Sequence, residues 1–349
     1  MNLGVDGFRF DVINFIVKDE TLRSNPYHLH RALPRRYEQQ NHLYDRSRPE
    51  SHFFLKELRT VLDEYPERMC VGEIFPNEGV IDQNITASYL GNGEEELHLA
   101  FDFSPNYARF NAEVFARILK SQYQALPEEG WPVHVLSNHD QSRAFSRLAR
   151  GDERKMKVLL TMLLTQRGTP FLYYGDELGM ADGRIPRSRL QDPVGLNYWP
   201  LHPGRDRART PMQWDTAPGA GFTEKEPWLP IPESAADVNV KNQENNSSSM
   251  LSLTRCLITL RRSRRSLTHG SWELIDTPKG VLGYRRQEED EVTTVFLNFT
   301  GKSIDVSGLK DFETAIIDKV HFDSSFTTKQ IRSQRIGLLS GFQALILGN

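Results

Sequence analysis

The run GVDGFRFDV (residues 4–12) reads as a short apolar strand that ends in charge. Arg9 and Asp11 lie two positions apart, and on a strand that spacing puts both side chains on one face. Four further runs share this build: MCVGEI (69–74), LHLAFDF (97–103), VHVLSNHD (133–140) and TPFLYYGDE (169–177). They do not alternate cleanly between apolar and polar residues, as expected of strands buried on both faces of a parallel sheet. Helical patterns at 49–65, 106–126 and 153–167 stand between them. The steps from Glu73 to Asp102, to Asn138 and to Tyr173 are 29, 36 and 35 residues, which suits successive βα units. The expectation is an α/β fold.

The longest interval, Asp11 to Glu73, carries SNPYHLHRALPRRYEQQNHLYDRS (24–47), rich in Tyr, His, Asn and Arg and without strand period. It reads as a long surface loop beside a site. After the fifth strand comes an irregular stretch, about 180–245, dense in Pro, Gly, Trp and Asn, and then a helix over 250–267. From Gly270 the texture changes to short β-rich runs: GVLGYRRQ, EVTTVFLNFTGKSIDV, TAIIDKV and GFQALIL. Two domains follow from this: an α/β part over 1–267 and a small antiparallel β domain over 268–349.

The 349 residues are 38% hydrophobic and 26% charged with net charge −3, an ordinary balance for a globular chain and no basic field for nucleic acid. The cluster RRSRR (261–265) reads as the solvated end of a helix in preference to an anion site. Cys70 and Cys256 lie far apart with no metal-ligand spacing, and Cys70 suits a small core position. No run of eighteen or more apolar residues is present to span a membrane, and no signal peptide stands at Met1; a cytoplasmic location is the expectation.

Candidate chemistry gathers at the C-terminal ends of the strands: Arg9 and Asp11, then Glu73, then Asp102, then Asn138, His139 and Asp140. In parallel α/β folds and barrels that end carries the ligand site. Carboxylates brought close together repel, so one keeps its proton near neutral pH while a neighbour stays ionised. A neutral acid beside an ionised nucleophile is what retaining glycoside hydrolysis requires. Arg9, on the face of Asp11, suits the task of keeping that carboxylate charged and oriented. Taken singly, Asp11 and Asp140 also suit helix capping, and His139 suits a structural hydrogen bond. Asp102 reads as structural, having only its position in its favour.

The segments DGFRFD, VGEIF and SNHDQSR resemble three ordered signatures of the α-amylase family of glycoside hydrolases, at the ends of its fourth, fifth and seventh barrel strands. GRDRARTPMQWD (204–215) further resembles the α-glucosidase, oligo-1,6-glucosidase-like branch. The resemblance implies Asp11 as nucleophile, Glu73 as general acid/base and Asp140 as the carboxylate that fixes sugar hydroxyls. It implies substrate contacts for Arg9, His139 and Arg209, with Arg143 a weaker candidate and Met212 and Trp214 as packing residues. Val12, after the nucleophile, resembles enzymes that accept α-1,6 bonds.

The same resemblance implies the C-terminal part, strands 4–8, of a (β/α)8 TIM barrel followed by a small antiparallel β-sandwich. It runs through essentially all 349 residues. The family's first three strands and the metal-binding loop after the first are absent, so no cofactor or metal is expected here, and the missing N-terminal half is an expected partner besides a small oligosaccharide. Alone, such a remnant is expected to be unstable. The implied activity is that of a retaining, exo-acting α-glucosidase. The alternatives are a transglycosylating or trehalose- or sucrose-acting relative, a non-catalytic amylase-like binding protein, and an inactive truncated product.

Overall fold

The computed structural model describes residues 1–27, 36–75, 82–310, 319–323 and 337–348; part of the 24–47 loop and part of the run TAIIDKV lie outside them. The five apolar runs each yield a strand: β1 (Gly7–Phe10), β2 (Met69–Glu73), β3 (Leu99–Phe101), β4 (Val133–Val135) and β5 (Thr169–Phe171). The helices in chain order are α1 (Ser51–Asp63), α2 (Gln83–Ser88), α3 (Ala112–Ala125), α4 (Ala144–Arg147), α5 (Glu153–Thr165), α6 (Pro193–Tyr198), α7 (Val240–Gln243), α8 (Met250–Ser263) and α9 (Arg265–Thr268). The chain falls into two compact units, Met1–Pro105 with Ile118–Val135, and Asn106–Arg117 with Leu136–Asn349.

In the first unit β1, β2 and β3 form a parallel sheet in that order, with Phe10 opposite Gly72 and Glu73 opposite Phe101. Parallel pairing brings the strand ends that carry Arg9 and Glu73 to the same edge. The central strand β2 is buried from Cys70 to Glu73, and Cys70 joins Ile13, Leu55, Leu62, Ile74, Tyr89 and Leu97 in one core. Leu55 and Leu62 stand two turns apart on α1, which fixes the face that the helix lays on this core. Burial on both faces, expected of every strand, fails for β1: Phe8 is 42% exposed. The reason is its place at the edge, with a neighbour on one side alone among the described residues. Asp102 is buried and accepts from the Ser104 N–H and hydroxyl and from Gln83, the structural role expected of it.

The second unit is organised by α5. Asp152 caps its N-terminus by accepting from the Arg154 N–H, and from Met156 to Thr165 all but Lys157 is buried, the signature of a helix enclosed on all sides. Arg261 of α8 closes its other end, donating to the carbonyls of Leu164, Gln166 and Gly168. Arg264 is buried and donates to Thr293. The RRSRR cluster is therefore not simply a solvated helix end: two of its arginines satisfy helix-end and strand backbone from within. The remaining strands, β6 (Ser271–Ile275), β7 (Val281–Glu288), β8 (Glu291–Asn298), β9 (Ile304–Asp305), β10 (Lys319–Asp323), β11 (Leu338–Leu339) and β12 (Ala344–Gly348), are antiparallel. Five of them make a sheet in the order β10-β12-β8-β7-β6, and β9 pairs with β11. Ile275, Val281 and Phe296 of the sheet pack with Val306 and Leu339 of the ribbon, giving a small sandwich core.

Candidate active site

In the first unit the site begins where β1 and β2 end side by side. Arg9 Nη1 donates to Asp11 Oδ1 and Arg9 Nη2 to Glu73 Oε2, each at 2.6 Å. The alternation of β1 sets Arg9 and Asp11 on one face, and the parallel register delivers Glu73 from the neighbouring strand, so one guanidinium serves both carboxylates. Their surroundings differ sharply: the Asp11 side chain is 71% exposed and the Glu73 side chain 3%. Burial pushes the Glu73 carboxyl above the ordinary glutamate range. The charge of Arg9 and the Val12 N–H oppose this rise, and the hydrogen bond and negative charge of Asp11 add to it. A carboxyl biased toward its neutral form thus stands beside a solvated carboxylate.

Asn14, which the sequence reading did not single out, braces this corner. It is fully buried, accepts from the Phe75 N–H, and donates to the Phe75 carbonyl and the Ser47 hydroxyl. It ties the segment after β1 to the segment after β2, directly behind Asp11 and Glu73. Its only signal in the sequence was a polar residue among apolar ones in DVINF.

In the second unit the SNHD segment follows β4. Asp140 Oδ1 accepts from Arg209 Nη2 at 2.8 Å and from Arg205 Nη1 at 3.1 Å, and His139 Nε2 lies 3.5 Å from the same oxygen. Arg209 also donates to the His139 carbonyl at 2.7 Å. The residues expected from SNHD and from RTPMQWD therefore meet, Arg209 with both His139 and Asp140. Arg205 and Asp192 were not foreseen. Asp192, buried, accepts from the Arg205 backbone N–H and from Nε and Nη2 of its side chain, which aims the remaining nitrogen at Asp140. Asp206 in turn accepts from the N–H groups of Gln191 and Asp192.

One expectation needs correction. Arg143 is wholly buried under Tyr173 and Tyr174 and donates to the Tyr174 carbonyl, so it does not line an open site. Trp214 is 49% exposed and is covered only in part, whereas Met212 packs beside Leu178, Met180 and Leu251. Of the three carboxylates singled out in the sequence, Asp11 and Glu73 lie in the first unit and Asp140 lies in the second. Among the described residues no group of three or more His, Cys, Asp or Glu is placed to hold a metal ion, and no helix is long and apolar enough to cross a membrane.

Comparison with known proteins places the chain in a family. Residues 1–270 match the family model described as alpha amylase, catalytic domain. A probable alpha-glucosidase of Rhizobium meliloti is 35% identical over 317 residues, covering 86% of this chain and 56% of the relative. An oligo-1,6-glucosidase of Parageobacillus thermoglucosidasius is 31% identical over 336 residues, covering 87% and 58%. Among solved structures, the alpha-glucosyl transfer enzyme XgtA superposes with a TM-score of 0.85 at 29% identity, covering all of this chain and 64% of that one. The trehalulose synthase MutB gives 0.82 at 26%, covering all of this chain and 66% of its own. The chain spans little more than half the length of these curated relatives. With the family model matched over residues 1–270 and the fold shared with these structures, the chain belongs to the α-amylase family of glycoside hydrolases.

Proposed function

We propose that this chain carries the catalytic residues of a retaining, exo-acting α-glucosidase that removes terminal glucose from short α-linked oligosaccharides. The observation that supports the reading best is the pair of unlike carboxyls on Arg9: Glu73 buried and biased toward protonation, Asp11 exposed and paired with the guanidinium. In the first half-reaction the Asp11 carboxylate attacks the anomeric carbon while Glu73 gives its proton to the glycosidic oxygen. The carbon–oxygen bond breaks and the leaving sugar departs with that proton. In the second, Glu73, now a carboxylate, takes a proton from water as the water oxygen attacks the same carbon. The Asp11 ester bond breaks, and glucose leaves with its original configuration.

Asp140, fixed by Arg209 and Arg205, is assigned to the sugar hydroxyls, with His139 and Arg209 in the same subsite. The scheme needs no cofactor. The domain border that accompanies it lies between residues 267 and 268. A transglycosylating version of the same chemistry is the second reading, favoured by the structural likeness to XgtA, and differs only in whether water or a second sugar attacks the ester. Val12 beside the nucleophile favours α-1,6 over α-1,4 substrates.

The test is hydrolysis of a chromogenic α-glucoside by the chain alone and by the chain joined behind the N-terminal portion of the P. thermoglucosidasius oligo-1,6-glucosidase, with product analysis on isomaltose and maltose. Glu73→Gln is expected to lower kcat by roughly 10²–10⁴-fold. Full activity of the Gln variant, or a folded joined enzyme without turnover, would overturn the reading.

A further inference from the structure

Val12 is the one β-branched residue among the described non-glycine residues at positive φ, at φ 37° and ψ 48°. A branched side chain is sterically opposed to the left-handed region, so the surroundings must impose this conformation. They do so from the C-terminal side. Ile13 and Asn14 are buried, the Phe15 N–H donates to the Val12 carbonyl at 2.8 Å, and Asn14 is pinned to Phe75. The left-handed residue converts the end of β1 into a 3-10 turn over Ile13–Phe15, and as it does so its own N–H swings toward Glu73 Oε2, at 3.4 Å.

Arg9 Nη2 reaches that same oxygen at 2.6 Å. An oxygen that receives two donors is a poor seat for a proton, because the hydrogen it would carry must compete for the same lone pairs. We propose that Val12 is a positioning residue acting through its strained backbone: its N–H and Arg9 together reserve Glu73 Oε2 as an acceptor, so that the proton Glu73 donates and recovers is carried on Oε1. The assignment gives the acid one fixed reactive edge through both half-reactions. It deepens the glycosidase reading and rests on it for the use made of the proton, but not for the geometry.

The experiment is an NMR titration of the chain joined behind the same N-terminal portion, with selective labelling of Val12 and of glutamate carboxyl carbons, the Glu73 signal being assigned by its loss in Glu73→Gln. The Val12 amide resonance is expected to move with the Glu73 midpoint, and that movement is expected to vanish in Glu73→Gln while any movement due to the adjacent Asp11 stays. Replacing the Val12 amide by an ester, through the α-hydroxy acid analogue of valine, removes the donor and is expected to raise the Glu73 midpoint by about half a pH unit. Val12→Gly keeps the donor and accepts positive φ without strain, so it is expected to leave the midpoint in place and to raise the melting temperature.

A Val12 amide blind to Glu73 overturns the proposal, and needs no variant other than Glu73→Gln. An unmoved midpoint in the folded ester, or the same shift in Val12→Gly, overturns it as well, the last by assigning the effect to the side chain. In a hydrolysing enzyme the ester is expected to move the basic limb of kcat/KM upward with the carboxyl. If the amide follows Glu73 and the joined enzyme does not turn over, the glycosidase reading falls and the positioning role stands.

Discussion

Asp176 offers a measurable link between stability and the segment that carries Asp140. It is fully buried, accepts from the Ser137 hydroxyl at 2.9 Å and from the Tyr173 N–H, and Ser137 in turn accepts from the Ala144 N–H. Ser137 opens SNHD, so the carboxylate anchors the loop from behind. Burial lifts its carboxyl from the ordinary 3.8 to about 6, against the Ser137 hydrogen bond and the charge of Arg143, which act in the opposite direction. Below pH 3.8 the group is neutral in both folded and unfolded chains and contributes nothing to the pH dependence. Between 3.8 and about 6 the unfolded chain ionises first, so the folded state loses stability as pH rises, and above that range the loss is constant. A rise of about two pH units corresponds to about 3 kcal/mol at neutral pH, half of it already present at pH 5. Asp176→Asn keeps an acceptor for Ser137 and removes the charge. Its NH2 would replace the oxygen that accepts from the Tyr173 N–H, a cost independent of pH, so the expected signal is the change with pH: relative to the parent the variant is expected to gain about 1.5 kcal/mol between pH 5 and pH 8, read from denaturant midpoints across that range. A stability difference between the two that does not change with pH would refute the argument that the carboxylate is held charged at a cost. If it holds, the protein retains a destabilising group because a charged acceptor grips Ser137 more firmly than an amide does.

Arg9→Gln removes the cation from a buried carboxyl. Since Arg9 is itself 38% exposed, its contribution is discounted to about 1–2 kcal/mol, which is expected to raise the Glu73 midpoint by about one pH unit and to lower stability progressively above the ordinary glutamate pKa; carboxyl NMR and melting curves at pH 5 and 8 check both. Gly72→Ala tests the packing beside the acid: a Cβ there would lie 2.3 Å from Leu97 Cδ1 and 3.0 Å from Ile13 Cγ2, both in the core. It is expected to cost about 1–3 kcal/mol in a denaturant titration, and an unchanged midpoint would show that Leu97 moves aside freely.

What the sequence revealed and what it hid divide along one physical line. Arg9 and Asp11 were legible because strand alternation is a local rule: two residues apart means one face, and the structure places Arg9 on Asp11 as that rule requires. Glu73 was legible for a related reason, since an acid closing an apolar run needs a partner, and parallel pairing brings one. The Asp140 cluster was half legible, through Arg209. Its other guanidinium, Arg205, is 65 positions from Asp140 and is aimed by Asp192, which reads in sequence as no more than a helix cap. Such a contact obeys no period, because the loop that carries it has none. Asn14 was hidden for a different reason: of the three hydrogen bonds its side chain makes across the corner, two go to backbone groups of Phe75 and one to a loop hydroxyl, Ser47, none of which has a sequence pattern of its own. Val12 is the extreme case. Its side chain predicts a strand, its backbone does the opposite, and the conflict is tolerated only because Ile13 and Asn14 are buried on the far side of the turn. Local propensity fails at Val12 next to the very carboxyls for which pattern reading succeeds, and that is the expected place for it to fail. Directing an N–H at Glu73 requires the chain to leave the strand abruptly, and a residue content with its conformation would not have marked the spot.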